Sequence, residues 1–289
     1  MLVVEKLEGC DWGSRVACDD LYKLTNDECH QIGRQLANNQ VVVIRNQEDA
    51  SPYELQKLCS KIGDLEGYTN KLKVYADPNT PEARADWADK IESPNRRQRY
   101  LDYTEAPGIM KVTGKLKEDG SQTGFFGHDR ELDWHCNKAS DTKRHSYVTL
   151  YSVYGSTGSK TSWLDMAGAY VDLSDEKKDY YSTLDVICGH KVGAYSDDKS
   201  FKDHINRDVP WPLVQEKYGK VGLFFPYHQV FDLIDHLTGE PIDQFDKEHQ
   251  YLTNHILNEK YMYHHYWKDG DIVMSDQDIV GHQYGVQLL

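Results

Sequence analysis

Beyond Ile109 the sequence breaks into short apolar stretches closed off by Gly, Asp, Asn or Pro, a texture that limits the fold more than any other feature. Ile109–Val112, Trp134–Asn137, Ser146–Tyr154, Lys160–Leu164, Val186–Val192, Val221–Pro226, Met262–Trp267 and Asp271–Ser275 each have the length and punctuation of a strand. Two helical stretches, Ser174–Leu184 and Lys247–Asn258, interrupt them. Many short strands with few helices predict a mainly β fold with flanking helices (α+β), a sandwich or barrel-like double sheet of jelly-roll type.

The first sixty residues read differently. Thr25-Asn26-Asp27-Glu28 is a capping box that opens a helix with Ile32 and Leu36 on its apolar side, and Asn38-Asn39 closes it. Val41–Ile44 is a wholly apolar strand. Ser51-Pro52 with Glu54 starts a second helix whose buried stripe is Leu55, Leu58, Cys59 and Ile62, and Gly63 stops it. The stretch 76–100 is polar and proline-punctuated, a long loop whose Arg96-Arg97-Arg99 cluster fits a solvated face better than an anion site. No internal repeat or low-complexity linker divides the chain. We therefore expect one domain over 1–289, with loop insertions at 76–100 and 193–212.

Charge narrows the partners. Lys and Arg number 33 against 47 Asp and Glu, a formal net charge of −14, which repels duplex nucleic acid and anionic membrane surfaces. No apolar run is long enough to span a bilayer and the N-terminus has no basic flank, so the expected location is cytoplasmic and the expected partner a small molecule. A homo-oligomer is compatible with all of this. The 6 cysteines form no CxxC pair and read as reduced thiols rather than a disulfide scaffold or zinc site.

With 13 histidines in the chain, an isolated one says little. Two are singled out by their surroundings. His135 sits in Leu132-Asp133-Trp134-His135-Cys136-Asn137, read as a strand on which 135 and 137 share a face, and His282 follows a strand and a polar turn. A His-x-carboxylate pair with a distant second His is the facial triad of non-haem Fe(II) oxygenases, which leaves half the coordination sphere open.

The neighbouring motifs give that weak pattern weight. From Leu24 onward the chain resembles the taurine dioxygenase-like (TauD/TfdA) family of Fe(II)/2-oxoglutarate-dependent dioxygenases. Leu24–Arg45 is similar to that family's entry helix and the strand ending in Arg, and Leu55–Leu65 to its second helix. Trp134-His135-x-Asn137 stands where the family has Trp-His-x-Asp. Gly158-Ser159-Lys160-Thr161 resembles Gly-Gly-Asp-Thr, and Ala169-Tyr170-x-x-Leu173-Ser174 matches Ala-Tyr-x-x-Leu-Ser. Trp267-Lys268-Asp269-Gly270-Asp271, followed by Asp276 and His282, resembles the family's closing Trp-x-x-Gly-Asp…Trp-Asp-Asn-Arg-x-x-x-His block.

The resemblance implies a distorted double-stranded β-helix (jelly roll) with a metal at one mouth, Fe(II) as cofactor, 2-oxoglutarate as cosubstrate, and O₂. It makes His135 and His282 iron ligands, with Asn137 at the third position, and gives Thr161 a hydrogen bond to a cosubstrate carboxylate. Three departures stand against these matches. Asn137 brings a neutral carbonyl where an acid brings a full charge, so it is a weak ligand, or an acid such as Asp129 or Asp133 replaces it, or the site is metal-free. Ser275 and Asp278 replace the family's Trp and Arg. The Arg that usually binds the cosubstrate beyond the distal His is not reached by Leu289, so either the sequence lacks that end or another cation serves. Expected walls of a substrate pocket are Tyr68, Thr69, Asn70, the 193–212 insert, and Phe224 to His228, with core packing as the competing reading for Phe224 and Phe225. The leading expectation is hydroxylation of a small polar metabolite such as an amino acid. The alternative is a catalytically degenerate jelly-roll binding or structural protein, with Asn137 as its mark.

Overall fold

The computed structural model describes residues 2–48, 50, 52–63, 65, 104–106, 109–110, 112, 118–120, 132–144, 146–153, 156–190 and 204–285. The expected loop at 76–100, Tyr68 to Asn70, Asp129, and residues 193–203 of the expected insertion at 193–212 lie outside them, whereas residues 204–212 of that insertion are described and include two short strand segments, His204–Ile205 and Trp211–Pro212.

The opening elements are β1 (Val3–Lys6), β2 (Gly13–Ala17), α1 (Asn26–Asn39), β3 (Val41–Ile44) and α2 (Pro52–Ile62). Both arms of the Thr25/Glu28 capping box are made, and Ile32, Leu36, Leu55, Leu58 and Cys59 are buried as their spacing requires. Next come β4 (Thr104–Ala106), β5 (Ile109–Met110), β6 (Leu132–His135), β7 (Tyr147–Tyr151) and β8 (Lys160–Asp165). After β8 the chain leaves the central sheets through α3 (Met166–Val171), α4 (Asp175–Tyr181), β9 (Leu184–His190), β10 (His204–Ile205), β11 (Trp211–Pro212), β12 (Val214–Lys217), β13 (Lys220–Leu223), β14 (Val230–Asp235) and α5 (Phe245–Ile256). It returns with β15 (Met262–Tyr266), β16 (Ile272–Asp276) and β17 (Val280–Gly285).

Two sheets face each other. One has the order β1-β2-β3-β16-β7, antiparallel except for the β2–β3 pair, and the other is the antiparallel β15-β8-β17-β6. Strand alternation sorts their side chains into three cores. Val41, Val43 and Val273 from the first sheet meet Trp163, Tyr263 and Val280 from the second, filling the space between. Val42, Ile44, Ile272 and Met274 point the other way, against α1 and α2. Trp134, Cys136 and Leu164 on the outer face of the second sheet pack under the β9–β14 insert and α3–α5. With both faces covered, β3 can be apolar throughout, and all four of its residues are buried.

The expected jelly-roll architecture is observed, with a local correction at the first histidine. The strand read over Trp134–Asn137 ends at His135, and residues 137–140 form a turn, so Asn137 shares no strand face with His135. His282 lies on β17, the strand that follows β16 and its polar turn, as its place in the sequence predicts. No helix among the described residues is long and apolar enough to cross a membrane. The six cysteines are free, all buried except the half-buried Cys18.

Candidate metal centre

β6 and β17 are antiparallel neighbours in which His135 stands directly opposite His282. The other neighbour of His282 is Trp163 on β8, a residue of the inter-sheet core, so the imidazoles project toward that interior. Their ring centroids lie 4.2 Å apart, inclined at 50°. The second imidazole, 147 residues along the chain, reaches the first only through this pairing.

Burial holds the His135 ring below the ordinary histidine pKa of 6.5, against the opposing pull of the Asp133 carbonyl, the Asp133 charge and the Asn137 side chain. His282 is pushed further down by burial and by His135 itself. Both are neutral at pH 7, the form that coordinates metals. The Asp133 carbonyl accepts a 2.7 Å hydrogen bond from His135 Nδ1, which leaves the Nε2 lone pair directed elsewhere. The Asn137 side chain is hydrogen-bonded to the same ring. Asp133 is not a substitute acid here. Its carboxylate is exposed and lies 3.4 Å from His228 Nε2.

Two buried glutamines shape the turn that follows His135. Gln229 Oε1 accepts from the Cys136 amide at 2.8 Å, and Gln277 Oε1 accepts from the Asn137 amide at 3.2 Å. These side chains take the backbone donors that a longer ladder would have used, so the strand stops where it does. Gln277 Nε2 also lies 3.5 Å from His282 Nδ1. Neither glutamine is signalled by local spacing, since their partners lie 93 and 140 residues away.

Thr161 is fully buried on β8, two residues from Trp163 and on the same face. Its hydroxyl accepts from Trp267 Nε1 at 2.8 Å and keeps its own hydrogen to donate. Opposite Thr161 on β15 is His265, whose Nε2 meets Asp271 Oδ2 at 3.0 Å and whose Nδ1 meets the Tyr263 hydroxyl at 3.0 Å. The same Asp271 oxygen accepts from Arg45 Nη1 at 2.7 Å and from the Lys268 amide at 3.0 Å. Two motif residues far apart in the sequence, the Arg that ends the first apolar strand and the Asp of Gly270-Asp271, are thus one ion pair between a half-buried guanidinium and a buried carboxylate.

The departures at 275 and 278 also have a physical account. Ser275 is buried on β16 and contacts the Gln277 amide. Asp278 does not lack a counter-ion. Arg144 reaches it at 3.0 Å, and Lys217 pairs with it and with Asp276, the latter at 2.8 Å. Charge at this turn is reversed rather than lost. Phe224 and Phe225 resolve to the packing alternative: both are fully buried in the outer core, and Phe224 lies under the Arg144 guanidinium. Tyr227 and His228 sit beside β6 on the turn that carries Gln229.

Two neutral imidazoles at 4.2 Å with an amide beside them suit a divalent cation, though no group of three His, Cys, Asp or Glu side chains stands together among the described residues. Residues 4–283 match the family model described as taurine catabolism dioxygenase TauD, TfdA family. The chain belongs to this family. Its members are oxidoreductases, dioxygenases that use Fe(II) and 2-oxoglutarate. An alpha-ketoglutarate-dependent 2,4-dichlorophenoxyacetate dioxygenase of Burkholderia sp. (strain RASC) is 27% identical over 65% of this chain and 65% of its own length. The protein of that description from Cupriavidus pinatubonensis is 24% identical over 90% of this chain and 84% of its own. Among solved structures, AAD-2 in complex with Mn(II) and N-oxalylglycine superposes with a TM-score of 0.63 at 17% identity, covering 100% of this chain and 92% of that one. A taurine dioxygenase from Burkholderia xenovorans gives 0.65 at 15% identity, covering 99% and 83%. These likenesses establish the TauD-type jelly roll.

Proposed function

We propose that this chain catalyses an Fe(II)- and 2-oxoglutarate-dependent hydroxylation of a small polar metabolite such as an amino acid, with His135, His282 and Asn137 as metal ligands. The observation that carries this reading is the opposed, buried, neutral imidazole pair facing the jelly-roll interior. Bound there, Fe(II) and 2-oxoglutarate would supply the oxidising power: one C–H bond and O₂ are consumed, and a C–OH, succinate and CO₂ are formed.

The protein's own residues have separate tasks. The Asp133 carbonyl holds the His135 ring in the orientation and tautomer that present Nε2. Asn137 contributes a neutral oxygen donor, which lowers the affinity for the metal relative to an acid. Thr161 donates its free hydroxyl hydrogen to the distal carboxylate of the cosubstrate, oriented by the Trp267 indole. Trp163, Val273 and Val280 keep the interior side of the site dry.

The site is tested by adding Fe(II) and 2-oxoglutarate without oxygen and recording the visible charge-transfer band. The wild type is expected to show it, and Asn137→Asp to show it at an Fe(II) concentration lower by about 10-fold or more. A second reading, that the site has lost catalysis, is favoured by Asn137 alone. It stands if the wild type gives no band while Asn137→Asp restores one. The substrate class is read by succinate formation with amino acids against aryloxyacetates, the class in the relatives' names. Stimulation by aryloxyacetates only would overturn the amino-acid reading.

A further inference from the structure

We infer that Trp163 binds the cosubstrate, its indole N–H serving as a second donor to 2-oxoglutarate beside the Thr161 hydroxyl. This rests on the cosubstrate placement proposed above. Trp163 is paired with His282 on β17, and it shares its face of β8 with Thr161, two residues or about 6.6 Å along the strand. The two side chains therefore stand in successive rows of one interior wall, and the row of Trp163 holds a proposed metal ligand.

Two indoles buried in the inter-sheet core, those of Trp163 and Trp267, are treated differently. Trp267 Nε1 donates to Thr161 at 2.8 Å, whereas Trp163 Nε1 is fully buried and has no acceptor among the described residues. The polar atoms around it are already engaged. The Thr161 oxygen accepts from Trp267, the Tyr263 hydroxyl meets His265 Nδ1, and His265 Nε2 meets Asp271. Tyr263 and His265 present their rings to Trp163, with centroids at 6.0 and 6.3 Å, and Val41, Val43, Val273 and Val280 bring no polar side-chain atom. A buried N–H without an acceptor costs free energy and is rare in folded proteins. The chain leaves this acceptor to a ligand, as it does for the hydroxyl hydrogen of Thr161. An anion with several oxygens, such as a 2-oxo diacid, satisfies both donors, and in so dry a wall hydrogen bonds to a charged group are strong.

Heteronuclear NMR of the indole N–H groups, in the full chain loaded with redox-inert Zn(II), tests the inference without turnover. The chain has 6 tryptophans, and Trp163→Phe identifies one indole signal by its loss. On addition of 2-oxoglutarate that proton is expected to move downfield and to exchange more slowly with water. By calorimetry, Trp163→Phe is expected to bind 2-oxoglutarate about 10-fold more weakly than the wild type, the worth of a hydrogen bond to a charged group, with Zn(II) affinity unchanged. His135→Ala is the control for the site. If it binds 2-oxoglutarate in the presence of Zn(II) as tightly as the wild type, the cosubstrate placement falls and this inference falls with it. Given a loss in His135→Ala, wild-type affinity for 2-oxoglutarate in Trp163→Phe overturns the role of Trp163 and leaves the centre standing. So does an equal loss of Zn(II) affinity, which marks a packing role, and so does an indole proton already downfield and unmoved, which marks a trapped water. If Trp163→Phe does not fold, the wild type decides alone, and indole signals that all stay in place at saturating 2-oxoglutarate overturn the inference.

Discussion

Thr161 illustrates how a single buried hydroxyl serves two partners. Its oxygen accepts from the Trp267 indole N–H, and its hydrogen remains to bind an anion. Thr161→Val keeps the shape and removes both functions. The Michaelis constant for 2-oxoglutarate is expected to rise about 10-fold, since a hydrogen bond to a charged group is worth roughly 1.5–3 kcal/mol. The stranded indole N–H is expected to lower stability by about 1–3 kcal/mol. Steady-state kinetics against 2-oxoglutarate and a denaturant titration of the same variant separate the two effects. An unchanged Michaelis constant would remove Thr161 from the cosubstrate site.

Turns rather than strands carry the unusual demands of this fold. Gly270 has φ of +80°, and a Cβ there would come within 2.6 Å of the Glu48 amide and 2.8 Å of the Gln47 amide. This turn presents Asp271 to Arg45 and His265, so Gly270→Ala is expected to cost about 2 kcal/mol or more, measured as a lowered denaturant midpoint. The β16–β17 turn depends on charge. Asp278→Ala removes the carboxylate paired with Arg144 and one of two that Lys217 holds among the described residues. Leaving a buried cation without its partner is expected to destabilise by about 3 kcal/mol. Arg144→Met in the Asp278→Ala background should recover part of that loss, because the uncompensated charge is then gone. No recovery would show that the ion pair is incidental.

At the scale of the whole molecule, three histidines buried inside the jelly roll, His135, His265 and His282, all have pKa values lowered by burial. In the unfolded chain each takes up a proton near the ordinary value of 6.5, while in the folded protein each resists it. The unfolded state therefore binds more protons below that value, and folding stability falls as the pH drops from 6.5 toward the lowered folded values. Above 6.5 these groups contribute no pH dependence. The metal-free protein should melt at a clearly lower temperature at pH 5.5 than at pH 7, and His265→Gln should flatten the slope. A melting temperature independent of pH across this window would show that the rings are not buried neutral.

Local signals alone determined the capping box of α1, the apolar β3, the helix begun at Ser51-Pro52 and the alternation of short strands. Each depends on contacts within a few residues or on a strict period, which a linear sequence records. Tertiary structure decided the rest. β17 has glycines at 281 and 285 and polar residues between, and it is a strand because β8 and β6 offer it backbone partners on both sides. Asn137 left the strand because glutamines from distant turns captured the amides at 136 and 137. Asp278 can be largely withdrawn from solvent because Arg144 and Lys217 arrive from elsewhere in the chain. Hydrogen bonds and ion pairs between residues a hundred positions apart leave no periodic trace, so the partners that orient this centre emerge only when the two sheets close.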